Sequence, residues 1–297
     1  MNSLVAEKAP TTFKTWQVGD VTITRINELP GTVIHPDFLL KTSSEVVGRH
    51  EWLKPSYVTA DNQLITNIQA FIVEADGLRI LVDPCTGNDK PREVPSFNML
   101  KTEFLLDMER AGFPPLSIDV VLCTHLHVDH VGWNTRLENG KWVPTFPNAR
   151  YLFSRAEYEY AAGYKGLMAE AAFTDSVMPI VDAGLADLVD MDHQISKSVR
   201  LEPAIGHTPG HCCINIVSGE SHLVITGDLI HHPLQACEPD ICSNFCWDED
   251  QARATRKRQL QKWADSDVVV LGTHFADPCA VHVHKHANVW KVSEYKG

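Results

Sequence analysis

The segment Cys123-Thr124-His125-Leu126-His127-Val128-Asp129-His130-Val131-Gly132 sets three histidines and an aspartate within six residues. Groups this polar cannot all enter an apolar core, because each needs a buried partner. Imidazole nitrogen and carboxylate oxygen are the donors that borderline divalent ions take, so the composition suits zinc or a neighbouring first-row ion. His125 and His127 stand two apart and can point the same way from an extended loop. Asp129 and His130 are adjacent and should diverge, which suits a second ion beside the first. The plainer alternative is a solvated polar loop, and the density of ligand types weighs against it.

Three later residues sit at comparable places. His211 closes Gly206-His207-Thr208-Pro209-Gly210-His211, a turn before an apolar run. Asp228 ends Thr226-Gly227-Asp228, after the next run, and His274 follows residues 268–272. Each is a metal-type side chain at a strand-to-loop junction, where α/β proteins place functional groups. Together with the first cluster they supply enough ligands for two ions.

The pattern H-x-H-x-D-H, a histidine after Thr-Pro-Gly, Thr-Gly-Asp and a late Gly-x-His resembles the metallo-β-lactamase superfamily over residues 65–283. The resemblance implies an αββα sandwich of the α/β class and two divalent ions, zinc first among them. It implies that His125, His127 and His211 hold one ion. Asp129, His130 and His274 hold the other, and Asp228 bridges both. Two ions so placed share a hydroxide that is nucleophilic near neutral pH. Asp129 orients that hydroxide and is one candidate catalytic residue.

The elements around these residues agree with such a layout. Alternating apolar positions over residues 14–27 break at Gly19-Asp20, and runs 68–73 and 78–82 flank Ala75-Asp76-Gly77; both read as hairpins. Ser96 is placed to cap a helix whose apolar positions Phe97, Leu100, Phe104, Leu105 and Met108 stop at Gly112. Residues 118–123 then form a buried strand. The order recurs later: strands 214–217 and 223–226 around Ser218-Gly219-Glu220, a helix over 251–264 capped by Asp248, and strand 268–271. Two similar halves packed sheet to sheet follow, with the site along the edge where their loops meet. Residues 155–192 are alanine-rich and read as mostly helical. Residues 29–61 lack a clean period and hold Pro30, Pro36 and Pro55, so they read as an insertion or arm in a single domain of residues 1–297.

Bulk properties narrow the class. The formal charge of -12 argues against nucleic acid and anionic membranes, which require basic patches. No apolar run approaches the roughly 20 residues needed to span a bilayer. Residues 1–14 show no secretory signal, which makes a cytoplasmic protein with reduced thiols the expectation. A homodimer is expected from the resemblance.

Among branches of the superfamily, nucleases are disfavoured by the charge, and single-iron sulfur dioxygenases by the filled second site. A glyoxalase II-like thioesterase needs a basic arrangement near the C-terminus that Lys285, Lys291 and Lys296 do not make clear. N-acyl-homoserine-lactone lactonases carry a tyrosine three residues after the bridging aspartate. Here His231 stands there and becomes the second candidate catalytic residue. Residues 228–231 and 248–256, with His274-Phe275-Ala276-Asp277-Pro278 and His282, look more like methyl parathion hydrolase. Hydrolysis of a neutral lactone or ester leads, organophosphate triester hydrolysis is the alternative, and a non-catalytic metal-binding module is the reading from another class. Phe97, Trp133, Phe245, Trp247, Phe275 and His282 are expected to wall an apolar substrate pocket, with Trp133 and Phe275 foremost. Trp142 is a further candidate. Cys237, Cys242 and Cys246 match no zinc spacing and are expected as buried thiols.

Overall fold

The structure, a computed structural model, describes residues 13–163 and 167–296; most of the segment in which no secretory signal is expected, residues 1–12, lies outside them. The first sheet contains β1 (Thr15–Val18), β2 (Val21–Ile34), β3 (Leu64–Ala75), β4 (Leu78–Val82) and β5 (Val120–Leu122). After a small hairpin of β6 (Thr135–Glu138) and β7 (Lys141–Pro144), β8 (Arg150–Ser154) and β9 (Ala186–Val189) complete it. The second sheet is β10 (Val199–Pro203), β11 (Cys212–Ser218), β12 (Ser221–Ile225), β13 (Val269–Leu271), β14 (Ala280–His286) and β15 (Val289–Glu294).

The two halves share one wiring plan. In the first, β3 and β4 pair antiparallel and a crossover brings β5 parallel to β4; in the second, β11, β12 and β13 repeat that pattern. The crossovers carry the helices Phe104–Arg110 and Glu249–Trp263. The second helix is capped by Asp248, whose side chain accepts from Gln251 N, the role anticipated from its position before the run.

Layering follows from the two-residue period of strands. Phe71, Val73, Ile80, Val82 and Leu122 face inward and share a core with Ile214, Ile216 and Ile225 of the second sheet. The alternate residues Ala70, Ile72, Leu81 and Val121 face outward against Phe104, Met108 and Phe113. Because both faces are covered, these strands read as nearly continuous apolar runs. On the far side, Gln259 and Lys262 of the Glu249–Trp263 helix donate to Glu202 of β10. The result is the metallo-β-lactamase fold, an αββα sandwich. No helix among the described residues is long and apolar enough to cross a membrane.

Two expectations change. The helix placed from Ser96 begins only at Phe104; Pro95–Phe97 is a single 3-10 turn. Asn98 accepts from Arg92 N, and Asn88 accepts from Thr102 N, which holds the chain between them in an extended loop. Residues 29–34, assigned to the arm, continue β2 against β3 through Ile34↔Leu64. A bulge around Glu28 precedes them and re-aims that side chain into the interior. Beyond Ile34 the chain runs through two short helical turns and bridges Leu40 to Ser243.

Candidate metal centre

The histidine-rich loop leaves the end of β5 and is held by Asp83 at the end of the parallel neighbour β4. Thr124 donates to Asp83 from both its backbone N (2.7 Å) and its hydroxyl (2.9 Å). His125 and His127 are on the extended part, and Asp129 and His130 on the short helix Val128–Val131. That change of backbone turns the two pairs apart. Gly132 ends the turn against the β4 loop, where a Cβ would lie 1.8 Å from the Thr86 carbonyl oxygen. On the second half, Asp228 sits in the 3-10 turn Gly227–Leu229 after β12, and His274 follows β13. Gly227 has φ +52°, and a Cβ there would meet His211 Nε2 at 2.5 Å, so only glycine lets these two ligand segments approach.

Asp228 stands between two groups of donors. Its Oδ1 lies 2.9 Å from His274 Nε2 and 3.2 Å from His130 Nε2. Its Oδ2 lies 3.1 Å from His207 Nε2, 3.1 Å from His231 Nε2 and 3.6 Å from His125 Nε2. Donor atoms of His125, His127, His207 and Asp228 lie within 4.8 Å of one another, as do those of Asp129, His130 and His274. The structure therefore brings all seven residues named from the resemblance to one place, but it draws His207 into the tight first group in place of His211.

The outer ring nitrogens separate these two histidines. Nδ1 of His125 meets the Thr124 hydroxyl (3.1 Å), of His130 Asp83 (3.0 Å), of His274 the Asn67 carbonyl (3.0 Å) and of His211 the Ala204 carbonyl (3.1 Å). Ligating histidines are held in this way, with one nitrogen pinned and the other turned to the ion. His207 Nδ1 meets only the Cys246 thiol, at 3.7 Å. His211 Nε2 accepts the Asp228 backbone N–H at 2.9 Å, which keeps it just behind the cluster.

The donor set fits cations. His125 Nε2 and Asp228 Oδ1 are buried without a hydrogen-bond partner. His130 Nε2 and His274 Nε2 face each other at 3.2 Å across the same carboxylate oxygen, an arrangement a shared cation resolves. Burial pushes His127 down to about 4 and His211 down to about 3, so both are neutral lone-pair donors at pH 7. Burial alone would lower His130 as well, but the carboxylates of Asp228, Asp83 and Asp129 outweigh it and raise the ring well above its ordinary range. Burial works to raise Asp228, yet His130, His274, His231 and His207 hold it well below the usual carboxylate range. The pocket thus selects positive charge.

A cleft of about 440 Å³ opens over these donors. Phe97, Phe245 and Trp247 line it, as does His231. Trp133, Phe275 and His282 do not, which corrects the expectation for all three. Trp133 is buried under the ligand loop, stacked on Phe104 and donating to Glu28 (2.6 Å). Phe275 turns into the core against Tyr57, and His282 faces Tyr295 and the Val268 carbonyl. Trp142 lies under the Lys90 ammonium, 3.7 Å from its ring centre. Cys246, expected to be buried, is half-exposed and lines the cleft.

Sequence reasoning missed several contributors. Phe38, in the presumed arm, reaches the cleft and packs edge-on against Phe245. Tyr160 and Val94 also line it. Asp83 was foreshadowed only by its place at the end of an apolar run. Glu157 gave no signal at all: it is a buried acid on the helix Arg155–Gly163, and its Oε1 accepts from Leu126 N (3.1 Å) while Oε2 accepts from Gly210 N (3.0 Å). One carboxylate so ties the two ligand loops together.

Residues 66–283 match the metallo-beta-lactamase superfamily, and the chain belongs to it. An N-acyl homoserine lactonase of Bacillus cereus is 29% identical over 118 residues, 40% of each chain. The match thus spans well under half the length of that relative. Among solved structures, AidC, a dizinc quorum-quenching lactonase in complex with a product N-hexnoyl-L-homoserine, superposes with TM-score 0.82 at 20% identity, covering 98% of this chain and 99% of its own. The hydrolase AbOPH in the beta lactamase superfamily superposes with TM-score 0.80 at 23% identity, covering 98% and 99%.

Proposed function

We propose that this member of the metallo-β-lactamase superfamily is a dinuclear metal-dependent hydrolase that opens neutral lactones bearing an apolar acyl group. The observation that carries the reading is the pairing of an Asp228-centred double donor set with the character of the cleft above it. The walls include Phe38, Phe97, Phe245 and Trp247, and no lysine or arginine lines the cleft among the described residues. Such walls suit an uncharged, partly apolar substrate. They give no counter-charge to a phosphomonoester, a glutathione moiety or the carboxylate of a β-lactam.

His125, His127 and His211 would hold one ion, Asp129, His130 and His274 the other, with Asp228 shared; zinc suits this nitrogen and oxygen set. When bound, such a pair supplies Lewis acidity and a water acidic enough to act near neutral pH. The chain's own residues do the rest. Asp129 is half-buried, its oxygens 3.8 Å from His130 Nε2 and 3.7 Å from His274 Nε2, and it would complete the second set and orient the water by accepting a hydrogen bond from it. His231 is fixed by its backbone N–H, which donates to Gln235 Oε1 (2.7 Å), and by stacking on His274. Its ring lines the cleft, where an imidazole N–H would donate one hydrogen bond to the substrate oxygen. The aromatic walls seat the acyl chain.

A panel of N-acyl lactones, aryl esters, phosphotriesters, thioesters and β-lactams on metal-analysed protein tests the reading. Lactones or aryl esters should give the highest kcat/KM. Turnover of another class at least about tenfold more efficiently, near 1.4 kcal/mol in transition-state stabilisation, overturns it. His231→Ala should lower kcat with the metal content unchanged. The homodimer belongs to the same proposal and is checked by light scattering.

A further inference from the structure

The arm reaches the cleft at the short helical turn Pro36–Leu39, whose Phe38 is one of the walls. Main-chain contacts fix where that turn hangs. Lys41 N donates to the Cys242 carbonyl (2.8 Å), Asn244 N donates to the Leu39 carbonyl (3.1 Å), and Leu40 bridges Ser243. All of these grip the chain just after Phe38. The last carbonyls of a helical turn have no partner within it. Here two of them accept from one side chain: Asn244 Nδ2 donates to the Asp37 carbonyl at 2.6 Å and to the Phe38 carbonyl at 3.0 Å. With two carbonyls as partners the amide must present its NH2 group, so its orientation is determined. The next residue, Phe245, meets the Phe38 ring edge-on, with centres 5.9 Å apart and planes at 67°. Phe38 is 49% exposed, so core burial does not hold its ring in place; the turn that carries it does.

From this geometry we infer that Asn244 is a positioning residue for chain-length specificity, which holds Phe38 in place as a cleft wall by clipping the carbonyls of its turn. The role rests on the cleft's being the seat of an apolar acyl group, and the Asn244 clip decides how long a chain that seat rewards. The bridge at Leu40 locates the turn, and the two bonds from Asn244 fix the angle at which it hangs. A ring fixed before the ligand arrives spares the cost of ordering it on binding. Only an acyl chain long enough to reach the Phe38–Phe245 pair gains from that. Asn244 is exposed, so without its amide the two carbonyls bond water instead. The turn stays on its bridge but loses its set angle, and the fold is spared.

The test measures binding by calorimetry on metal-loaded protein. The probes are the decanoyl and butanoyl amides of cyclopentylamine, in which a carbon ring replaces the lactone and no ester can be cleaved. The readout is the ratio of long-chain to short-chain affinity, which a general loss of folding does not move. Wild type should prefer the longer probe. Phe38→Ala, Asn244→Asp and Asn244→Ala should each lower the ratio by at least about twofold. Adding Asn244→Ala to Phe38→Ala should change it by less than about 1.5-fold, because residues that act through one another are not additive. A wild type without chain-length preference overturns the proposal, as does a smaller fall in any single variant. A loss confined to Asn244→Asp does so too, since added charge rather than lost donors would then be the cause. So does a further fall of about 1.5-fold or more in the double variant, which would separate Asn244 from Phe38. Because the probes carry no scissile ester, this result is read independently of the substrate panel, and failure of the lactone reading and failure of the clip are distinct outcomes.

Discussion

Glu157→Ala should loosen the metal centre without touching a ligand. Glu157 is buried, and its two oxygens accept from Leu126 N at 3.1 Å and Gly210 N at 3.0 Å. Leu126 lies between His125 and His127, and Gly210 directly precedes His211. The contact is close on the backbone too, since a Cβ on Gly210 would fall 2.2 Å from Glu157 N. Truncation leaves two buried N–H groups without an acceptor, at about 1–3 kcal/mol each, so about 2–6 kcal/mol in all. Burial works against the charged carboxylate, raising its pKa despite the bonds from Leu126 and Gly210. Relief of that penalty offsets part of the loss, so the lower end, about 2 kcal/mol, is the better figure. Were it all expressed at the metal, affinity would fall about 30-fold. Chelator competition on wild type, Glu157→Gln and Glu157→Ala measures it, with thermal unfolding of metal-loaded and metal-free protein alongside. The amide retains one acceptor and should fall between the other two. An alanine variant whose metal affinity stays within about threefold, and whose Tm is unmoved in both forms, would refute the idea that this carboxylate clamps the loops.

His211→Ala should lose about one metal equivalent per chain by elemental analysis, whereas His207→Ala should retain both, because of these two rings His211 is the one whose outer nitrogen is pinned by a carbonyl; the reverse pattern gives the ligand role to His207. Phe245→Ala should lower kcat/KM for a long-chain acyl lactone by about tenfold while a short-chain analogue changes little, since about 0.8 kcal/mol is lost per uncovered methylene; parallel losses would place the acyl chain elsewhere. Arg25 pairs with Asp277 through two bonds, 2.7 and 3.0 Å, beside the His274 loop. Burial tends to raise Asp277, but Arg25 and Lys14 hold it below the usual carboxylate range. A depressed carboxylate stabilises the fold above its unfolded pKa, near 3.9, and that contribution is lost as pH falls through the folded value. The Tm gap between wild type and Asp277→Asn should therefore be present at pH 6 and shrink below about pH 4; a gap that widens in acid contradicts the pairing.

The candidate metal ligands were legible in the sequence because they are a local pattern. His125, His127, Asp129 and His130 occur within six residues at the end of an apolar run, and His211, Asp228 and His274 each abut another. The hairpins, the Glu249–Trp263 helix and its Asp248 cap were legible for the same reason, since period, turn residues and caps act over a few positions. Tertiary structure decided what packs on what. Trp133 and Phe275 are neighbours of ligands in sequence, yet their side chains turn into the core, while Phe38, more than 200 residues from Phe245, reaches the cleft beside it. Within the Gly206–His211 motif, the carbonyl of Ala204 pins the ring of His211, while His207, not singled out in the sequence, faces the cleft. Glu157 and Asp83 hold the ligand loops through hydrogen bonds to residues 31 to 53 positions away along the chain. No local propensity encodes such a bond: it exists only once the sheets have stacked, excluded water and left those N–H groups a single acceptor.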